Sequence, residues 1–234
     1  ELSVNGRPEY VRKACEASLK RLNTDYIDMY YLHRLDKEVT IEDTVGAMSR
    51  LVEEGKARFL GLSEVSAATL QRALNVHPIA ALQSEYSLNT RNIEESILPA
   101  CRDNNVALVA FSPLGRALLT GSIKKAEDLS ENDFRKNLPR FRGSNFKHNL
   151  KLLEVMEKIA KEKKITPAQL ALAWLLHQGD DIIPIPGMKS RKYVKENLSS
   201  VDVILSQDEL NELDKIYEQT SGERYSNKSS KFID

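Results

Sequence analysis

Short runs of apolar residues alternate along this chain with longer segments in which apolar residues recur at helical spacing. The runs predict β-strands over residues 26–32, 56–62, 79–82, 106–111 and 181–185. The longer segments predict helices over residues 8–22, 40–54, 66–75, 90–104, 149–163, 166–177, 190–198 and 206–219. This alternation is typical of parallel strands joined by crossover helices, so the sequence predicts an α/β fold of five βα units.

Two segments fall outside this alternation. Residues 122–146 are polar and rich in Lys, Asn, Arg and Asp, which predicts a long mobile loop at the end of the sheet where ligands bind, the mouth of a barrel. Residues 221–234 carry Ser, Lys, Asn and Gly, which predicts a flexible tail. The chain of 234 residues has the length of one large domain, so we predict a single domain over residues 1–234.

The predicted strands end in polar residues or a turn. His33, Ser63, Gln83 and Ser112 end the first four strands, and residues 184–187 form a turn after the last. A parallel barrel builds its ligand site from the carboxyl ends of strands, which gives these polar residues a purpose. An open α/β sheet is the alternative, although no Gly-x-Gly-x-x-Gly follows any strand. A complete barrel has eight βα units, and its chain usually runs to about 250 residues or more. Because this chain has only five such units, we expect a (β/α)8 TIM barrel of which it supplies about five βα units plus closing helices.

Composition narrows the class of protein. Hydrophobic residues make up 41% of the chain and charged residues 29%, and 34 basic residues balance 34 acidic ones. This balance disfavours a nucleic-acid or anionic-membrane partner, and the apolar runs are too short to span a membrane. Cys15 and Cys101 are predicted to be reduced thiols, which indicates a cytoplasmic protein. The other histidines show no metal-ligand spacing, so no metal is expected.

Eight ordered segments carry a resemblance to a known family. They are residues 18–22 (SLKRL), 25–28 (DYID), 31–34 (YLHR), 61–63 (GLS), 83–86 (QSEY), 111–115 (FSPLG), 167–174 (PAQLALAW) and 185–187 (IPG). Through them the chain resembles the aldo-keto reductases, specifically the cytosolic plant and microbial type. The resemblance implies a (β/α)8 barrel that binds NADPH and reversibly transfers a hydride to a small aldehyde or ketone.

The resemblance also implies catalytic roles. In the family an Asp, a Tyr and a Lys from the first three units work with a His at the end of the fourth strand, and the Tyr donates the proton. His33 matches that His, which orients the carbonyl. The other three positions lie upstream of Glu1, and Tyr26, Tyr30 and Tyr31 do not match the acid. The chain alone is therefore expected to bind cofactor poorly and to reduce carbonyls negligibly.

The resemblance assigns Ser63 and Gln83 to the nicotinamide carboxamide, since a hydroxyl and an amide supply both donors and acceptors. Glu64 departs from the Asn that most members have beside the Ser. Phe111 stands where many relatives stack a Tyr on the nicotinamide ring, and Phe keeps that face. The residues implied for the pyrophosphate are Ser112, Leu114, Gly115 and Arg116, since backbone N–H groups and a guanidinium suit that group.

Residues 187–192 predict an anion site on physical grounds. Ser190 is a good N-cap for the following helix, yet Lys189, Arg191 and Lys192 crowd its positive end, where the macrodipole disfavours cations. A phosphate bound there explains the cluster, and a solvated basic face is the alternative. The resemblance places the adenosine 2′-phosphate here, which favours NADP(H), with Gly187, Glu196 and Asn197 beside the adenosine.

Two other functions stay open from the sequence. Some members of the family are channel-associated subunits that keep the cofactor site mainly as a sensor, so a non-catalytic or weakly catalytic regulatory subunit is the main alternative. A different barrel enzyme with a phosphate-bearing substrate is the second. The mouth loops set specificity in such barrels, and their composition selects no particular carbonyl substrate.

Overall fold

Five strands form one sheet in chain order. The computed structural model describes residues 3–225 and residue 234. The strands are β1 (Ile27–Leu32), β2 (Ala57–Ser63), β3 (Ala81–Glu85), β4 (Ala107–Phe111) and β5 (Ile182–Ile185), with sheet order β1-β2-β3-β4-β5. β1 pairs with β2, and β2 with β3, in parallel. The predicted α/β class with five βα units is confirmed.

Five of the eight helices in the described residues begin at a Ser or Thr whose side chain caps the first turn. The eight helices are α1 (Pro8–Leu22), α2 (Ile41–Glu53), α3 (Ala67–Leu74), α4 (Ile97–Asp103), α5 (Gly143–Lys163), α6 (Pro167–Leu176), α7 (Arg191–Leu198) and α8 (Gln207–Gln219). Thr40, Ser66 and Thr166 each accept a hydrogen bond from a backbone N–H of the first turn. Within the described ranges, no helix combines the length and the apolar character needed to cross a bilayer.

Contacts within the chain define two compact units. Unit 1 comprises Glu1–Ser84, Glu94–Leu108 and Lys231–Asp234, and unit 2 comprises Glu85–Ile93 and Val109–Ser230. Unit 1 buries Met48, Leu60 and Leu82. Unit 2 buries Trp174 and Tyr86, whose rings meet edge to face with 5.7 Å between centroids.

The polar segment 122–146 has local structure of its own. Short 3-10 turns span Ala126–Asp128, Phe134–Asn137 and Pro139–Phe141, and α5 begins at Gly143 rather than at the predicted residue 149. Its scattered apolar residues pack into one buried cluster with Leu118: Ile123, Leu129, Leu138, Phe141 and Phe146. The mobility of this segment stays a prediction.

The predicted helix over residues 90–104 is wrong in its first half. Ser87 and Thr90 form a bridge, a 3-10 turn spans Asn92–Glu95, and α4 begins only at Ile97. Pro99 explains the late start, because proline lacks the N–H that a helix interior needs and is tolerated in the first turn.

The predicted tail is described only in part, since residues 226–233 lie outside the described residues. Ser221 is held by Asn149: the amide Nδ2 donates to the Ser221 carbonyl, and the Ser221 N–H donates to Oδ1, both at 2.9 Å. His148 also contacts the backbone two residues before Ser221, with 2.7 Å between its Nε2 and the Gln219 carbonyl oxygen.

Candidate active site

Strand register in unit 1 aligns the polar residues at the strand ends. Leu32 pairs with Leu62, and Ser63 pairs with Gln83, so His33 follows β1 level with Ser63. Register partners in a sheet point to the same face. Ser63 is buried with 3% of its surface exposed, Gln83 is half-buried, and His33 is exposed. Unit 1 therefore presents a hydroxyl and an amide side by side.

Arg34 connects two of these residues. Its Nη1 donates to Ser63 Oγ at 3.1 Å and to the His33 carbonyl at 2.6 Å. Partial burial of its ring, and then the positive charge of Arg34, lowers the pKa of His33 below its usual value. The imidazole is consequently neutral near pH 7 and keeps one donor and one acceptor nitrogen.

Glu64 has an unusual backbone conformation for its residue type. It is buried with a φ of 54°, in the left-handed region that Asn enters more readily than Glu. Its N–H donates to the Gln83 carbonyl at 3.0 Å, which joins the ends of β2 and β3. The carboxylate of Asp234 accepts from the Ser66 N–H at 3.1 Å and from Ser66 Oγ at 2.8 Å at the start of α3.

A cavity of about 260 Å³ adjoins His33 and is lined in part by Tyr10, Tyr30 and Tyr31. Tyr30 donates its hydroxyl to the Val11 carbonyl at 3.3 Å, and burial raises its pKa to about 12. Burial also raises the pKa of Tyr31. A proton donor that works near neutral pH needs a shift in the opposite direction. Neither phenol has the properties of the catalytic acid.

Unit 2 contains a larger and more basic cavity of about 830 Å³. Four cationic side chains and one carboxylate are among its lining residues: Arg116, Arg135, Lys189, Lys192 and Glu196. Arg135 is held in place by Asp133, with 2.7 Å between Nη2 and Oδ2, and it donates from Nη1 to the Arg116 carbonyl at 3.0 Å. Arg135 and Arg116 are ion-paired with Asp133 and Glu85, so Lys189 and Lys192 are the cations that suit this cavity to an anionic ligand.

The start of α7 forms one wall of this cavity. Ser190 Oγ accepts from the Tyr193 N–H at 3.3 Å and caps the helix. Lys189 lies just before the N-cap and Lys192 in the first turn of the helix, and both line the cavity. Asn197 is buried, and its Nδ2 donates to the Gly187 carbonyl at 3.3 Å, which fixes the turn before the helix.

The loop after β4 forms another wall. Ser112, Gly115 and Arg116 all have positive φ, at 50°, 56° and 57°, and the Gly115 N–H closes a turn onto the Ser112 carbonyl at 2.9 Å. Non-glycine residues in this region cost of order 1–3 kcal/mol each. Conformations of this kind persist only where the surrounding structure fixes the backbone.

The Arg116 guanidinium is engaged within unit 2. Its Nη2 donates to Glu85 at 2.9 Å, its Nη1 donates to the Arg224 carbonyl at 2.8 Å, and it lies 4.7 Å from the ring centroid of Tyr225. Glu85 is almost fully buried, at 2% exposure. Arg116 therefore anchors the chain around residue 224 as well as lining the cavity.

The profile of the aldo/keto reductase family matches residues 1–218. The chain belongs to this family. It is 50% identical over 209 residues to an NADP(+) aldo-keto reductase named yakc from Schizosaccharomyces pombe, a match that covers 88% of this chain and 62% of the relative. The chain thus spans less than two thirds of the length of that relative.

Two solved structures agree with the family assignment. The glycerol dehydrogenase of Gluconobacter oxydans superposes with a TM-score of 0.88 at 28% identity, covering 97% of this chain and 69% of that one. A thermostable aldo-keto reductase in complex with the inhibitor epalrestat superposes with a TM-score of 0.73 at 31% identity, covering 90% and 67%. The barrel class predicted from the strand ends is confirmed.

Most residues predicted to bind the pyrophosphate and the adenosine part of the cofactor line one cavity. They are Ser112, Leu114, Arg116, Gly187, Lys189, Glu196 and Asn197. Ser190 caps the adjoining helix. Three other predicted residues do not line this cavity: Gly115 is buried beside Asn89, Phe111 is half-buried at the end of β4, and Arg191 is exposed on α7. His33, Ser63 and Gln83 belong to unit 1.

The sequence did not single out several lining residues. Arg135 and Tyr193 line the cavity with Thr120 and Ser122. Tyr193 lies three residues after Ser190 and could be found from helical spacing alone. Arg135 lies in the polar segment without any periodic pattern, so no local signal marks it. Within residues 3–225 and at residue 234, no three His, Cys, Asp or Glu side chains group as a metal site.

Proposed function

We propose that this protein is an oxidoreductase that transfers a hydride between NADP(H) and a small aldehyde or ketone. One observation carries the proposal: the 830 Å³ cavity of unit 2 has four cationic side chains among its lining residues and Glu196 as a carboxylate. Its volume is typical of small-molecule and cofactor sites. The S. pombe relative is named as an NADP(+) enzyme, which supports the same cofactor.

The residues of unit 2 fit the phosphorylated end of the cofactor. Lys189 and Lys192, at the positive end of α7, are suited to the 2′-phosphate. The strained loop at Ser112 and Arg116 is suited to the pyrophosphate through its backbone N–H groups and through the Arg116 donors that Glu85 and the Arg224 carbonyl do not use. Glu196 and Asn197 are suited to the adenine, and Gly187, tied to Asn197, leaves room beside it.

Chemical roles in unit 1 follow from its donors and acceptors. Ser63 and Gln83 would hold a carboxamide, and a bound reduced nicotinamide would supply the hydride. His33, neutral near pH 7, would donate a hydrogen bond to the carbonyl oxygen and so favour the developing alkoxide. Phe111 offers its ring face for stacking. The proton-donating Tyr has no counterpart among these residues, so we expect this chain alone to turn over carbonyls negligibly.

None of the matched proteins reported above is described as a regulatory subunit. Membership of the aldo/keto reductase family also sets aside an unrelated barrel enzyme with a phosphate-bearing substrate.

We further propose a cytoplasmic location, because Cys15 and Cys101 are both buried thiols. Cell fractionation with an antibody against the chain checks this, and recovery from the secreted fraction would contradict it.

Titration of the chain with NADPH and with NADH, followed by nicotinamide fluorescence, tests the cofactor proposal. We expect weak binding in which NADPH is preferred. Lys189→Ala and Lys192→Ala should each weaken NADPH binding about tenfold, since a hydrogen bond to a charged group contributes about 1.5–3 kcal/mol. NADH binding should change little. Lys195→Ala, on the same helix but outside the cavity lining, is the control. Equal affinity for both cofactors in all variants would refute the proposal.

A further inference from the structure

We propose that Arg34 is a positioning residue that fixes the Ser63 hydroxyl as a hydrogen-bond donor toward the carboxamide oxygen of the nicotinamide. This inference rests on the function proposed above and extends it to a residue outside the predicted site. Arg34 directly follows His33, and its side chain reaches across to the end of the neighbouring strand β2.

The direction of the hydrogen bond carries the argument. The Arg34 guanidinium has only donors, so Ser63 Oγ must be the acceptor in their 3.1 Å contact. A hydroxyl has one hydrogen, which remains to be donated elsewhere. Ser63 is 3% exposed, so bulk water competes little for that hydrogen. The contact therefore sets both the rotamer of the hydroxyl and its role as a donor.

A carboxamide needs this asymmetry, because its oxygen accepts and its NH2 group donates. Gln83 is level with Ser63 in the strand register and carries an amide oxygen that can accept from an NH2 group. With Ser63 held as a donor, the two residues recognise a carboxamide in one orientation. Without Arg34 the hydroxyl could rotate and act as a donor or an acceptor, and the orientation would be lost.

The second contact of Arg34 fixes the strand end itself. Nη1 lies 2.6 Å from the carbonyl of His33, so one nitrogen holds both the backbone before Arg34 and the Ser63 side chain. Partial burial is the larger cause of the lowered pKa of His33, and the charge of Arg34 lowers this pKa further. A change at Arg34 should therefore be visible at His33 independently of any cofactor.

The test measures the binding of two ligands to the Arg34→Met variant. Methionine has a side chain of similar length but lacks the hydrogen-bond donors and the positive charge. The ligands are NADPH and 2′,5′-ADP, which lacks the nicotinamide, and ligand-observed NMR detects their weak binding. We expect Arg34→Met to weaken NADPH binding about tenfold and to leave 2′,5′-ADP unchanged. Arg58→Met, at an exposed arginine of β2, is the control and should change neither.

A double-mutant cycle shows whether Arg34 acts through Ser63. Ser63→Ala should cause the same loss of NADPH binding, and Arg34→Met should add nothing in the Ser63→Ala background. Additive losses, equal losses for both ligands, or no loss in Arg34→Met would each overturn the inference. In the NMR titration of His33, Arg34→Met should raise the imidazole pKa, whereas Arg34→Lys should preserve it. An unchanged imidazole pKa in Arg34→Met would also overturn it.

Failure of the proposed function gives a different result. If the unmutated chain binds neither NADPH nor 2′,5′-ADP, the cofactor assignment is wrong and the role of Arg34 falls with it. If the chain binds both ligands and Arg34→Met does not discriminate between them, only the positioning role is wrong.

Discussion

Trp174 donates its indole N–H to Asp214, with 2.9 Å between Nε1 and Oδ1. The same carboxylate oxygen accepts from Arg91 Nη1 at 2.6 Å, and the Arg91 guanidinium lies 5.0 Å from the indole centroid. The indole is fully buried, and a buried N–H without an acceptor is costly. Asp214, although partly exposed itself, therefore satisfies a donor of the buried indole and a donor of Arg91.

Asp214→Ala should lower the free energy of unfolding by about 1–3 kcal/mol, because it leaves the indole N–H without its acceptor. Trp174 is the only tryptophan of the chain, so its fluorescence during urea unfolding reports the change. Lys215→Ala, at the next and exposed position of α8, should change stability by less than about 0.5 kcal/mol. Equal effects of the two substitutions would contradict this role of Asp214.

Gly61 faces the ring of Tyr31 on the neighbouring strand. The two residues pair in register, and a Cβ at Gly61 would lie 2.6 Å from Cδ1 of that ring. Gly61→Ala should destabilise the protein by about 1–3 kcal/mol through overpacking. Tyr31→Ala in the same chain should remove most of that extra cost, as thermal unfolding of the single and double variants can show. Strictly additive losses would mean that the ring is not the obstacle.

The partly buried hydroxyl of Tyr30 should make the folded protein less stable at alkaline pH. Burial raises its folded pKa from 10.0 to about 12, so between these values only the unfolded state ionises. The stabilising contribution is complete below pH 10 and is lost as the pH rises toward 12. Denaturant unfolding of Tyr30→Phe should show a shallower decline over this window than the parent chain. Tyr26→Phe, at a tyrosine that is 45% exposed, should follow the parent.

Two phenylalanines of the segment 122–146 give a matched comparison. Phe141 is 4% exposed and stacks on Phe146 with 6.1 Å between centroids, whereas Phe134 is 61% exposed. Phe141→Ala should cost about 3–5 kcal/mol of stability, and Phe134→Ala should cost less than about 0.5 kcal/mol. Hydrogen exchange across the segment measures its mobility directly. Equal sensitivity at both positions would show that the buried cluster contributes little.

Strand positions were predictable because a short continuous run of apolar residues is typical of a buried strand. The run over residues 106–111 became β4 at Ala107–Phe111, and the run over 26–32 became β1 at Ile27–Leu32. The position of Lys189 and Lys192 at one cavity was predictable for a related reason, since both stand where the helix macrodipole disfavours cations. In both cases a local rule already constrains the structure.

Other features depend on contacts that no local pattern encodes. The apolar residues of segment 122–146, such as Ile123 and Leu129, are irregularly spaced in a polar background, so their burial was not visible. Arg34 reads as an ordinary polar residue after a strand, and only the register of β1 on β2 brings it to Ser63. The late start of α4 does have a local signal in Pro99, because proline is tolerated only in the first turn of a helix.

The four cations of the unit 2 cavity have a practical consequence for handling the protein. Sulfate and inorganic phosphate are tetrahedral oxyanions that suit Lys189 and Lys192 as well as a nucleotide phosphate does. We therefore expect the apparent NADPH affinity to be lower in phosphate buffer than in HEPES at equal ionic strength, with a smaller difference for NADH. Crystals grown from ammonium sulfate should then carry an oxyanion at the position proposed for the nucleotide phosphate.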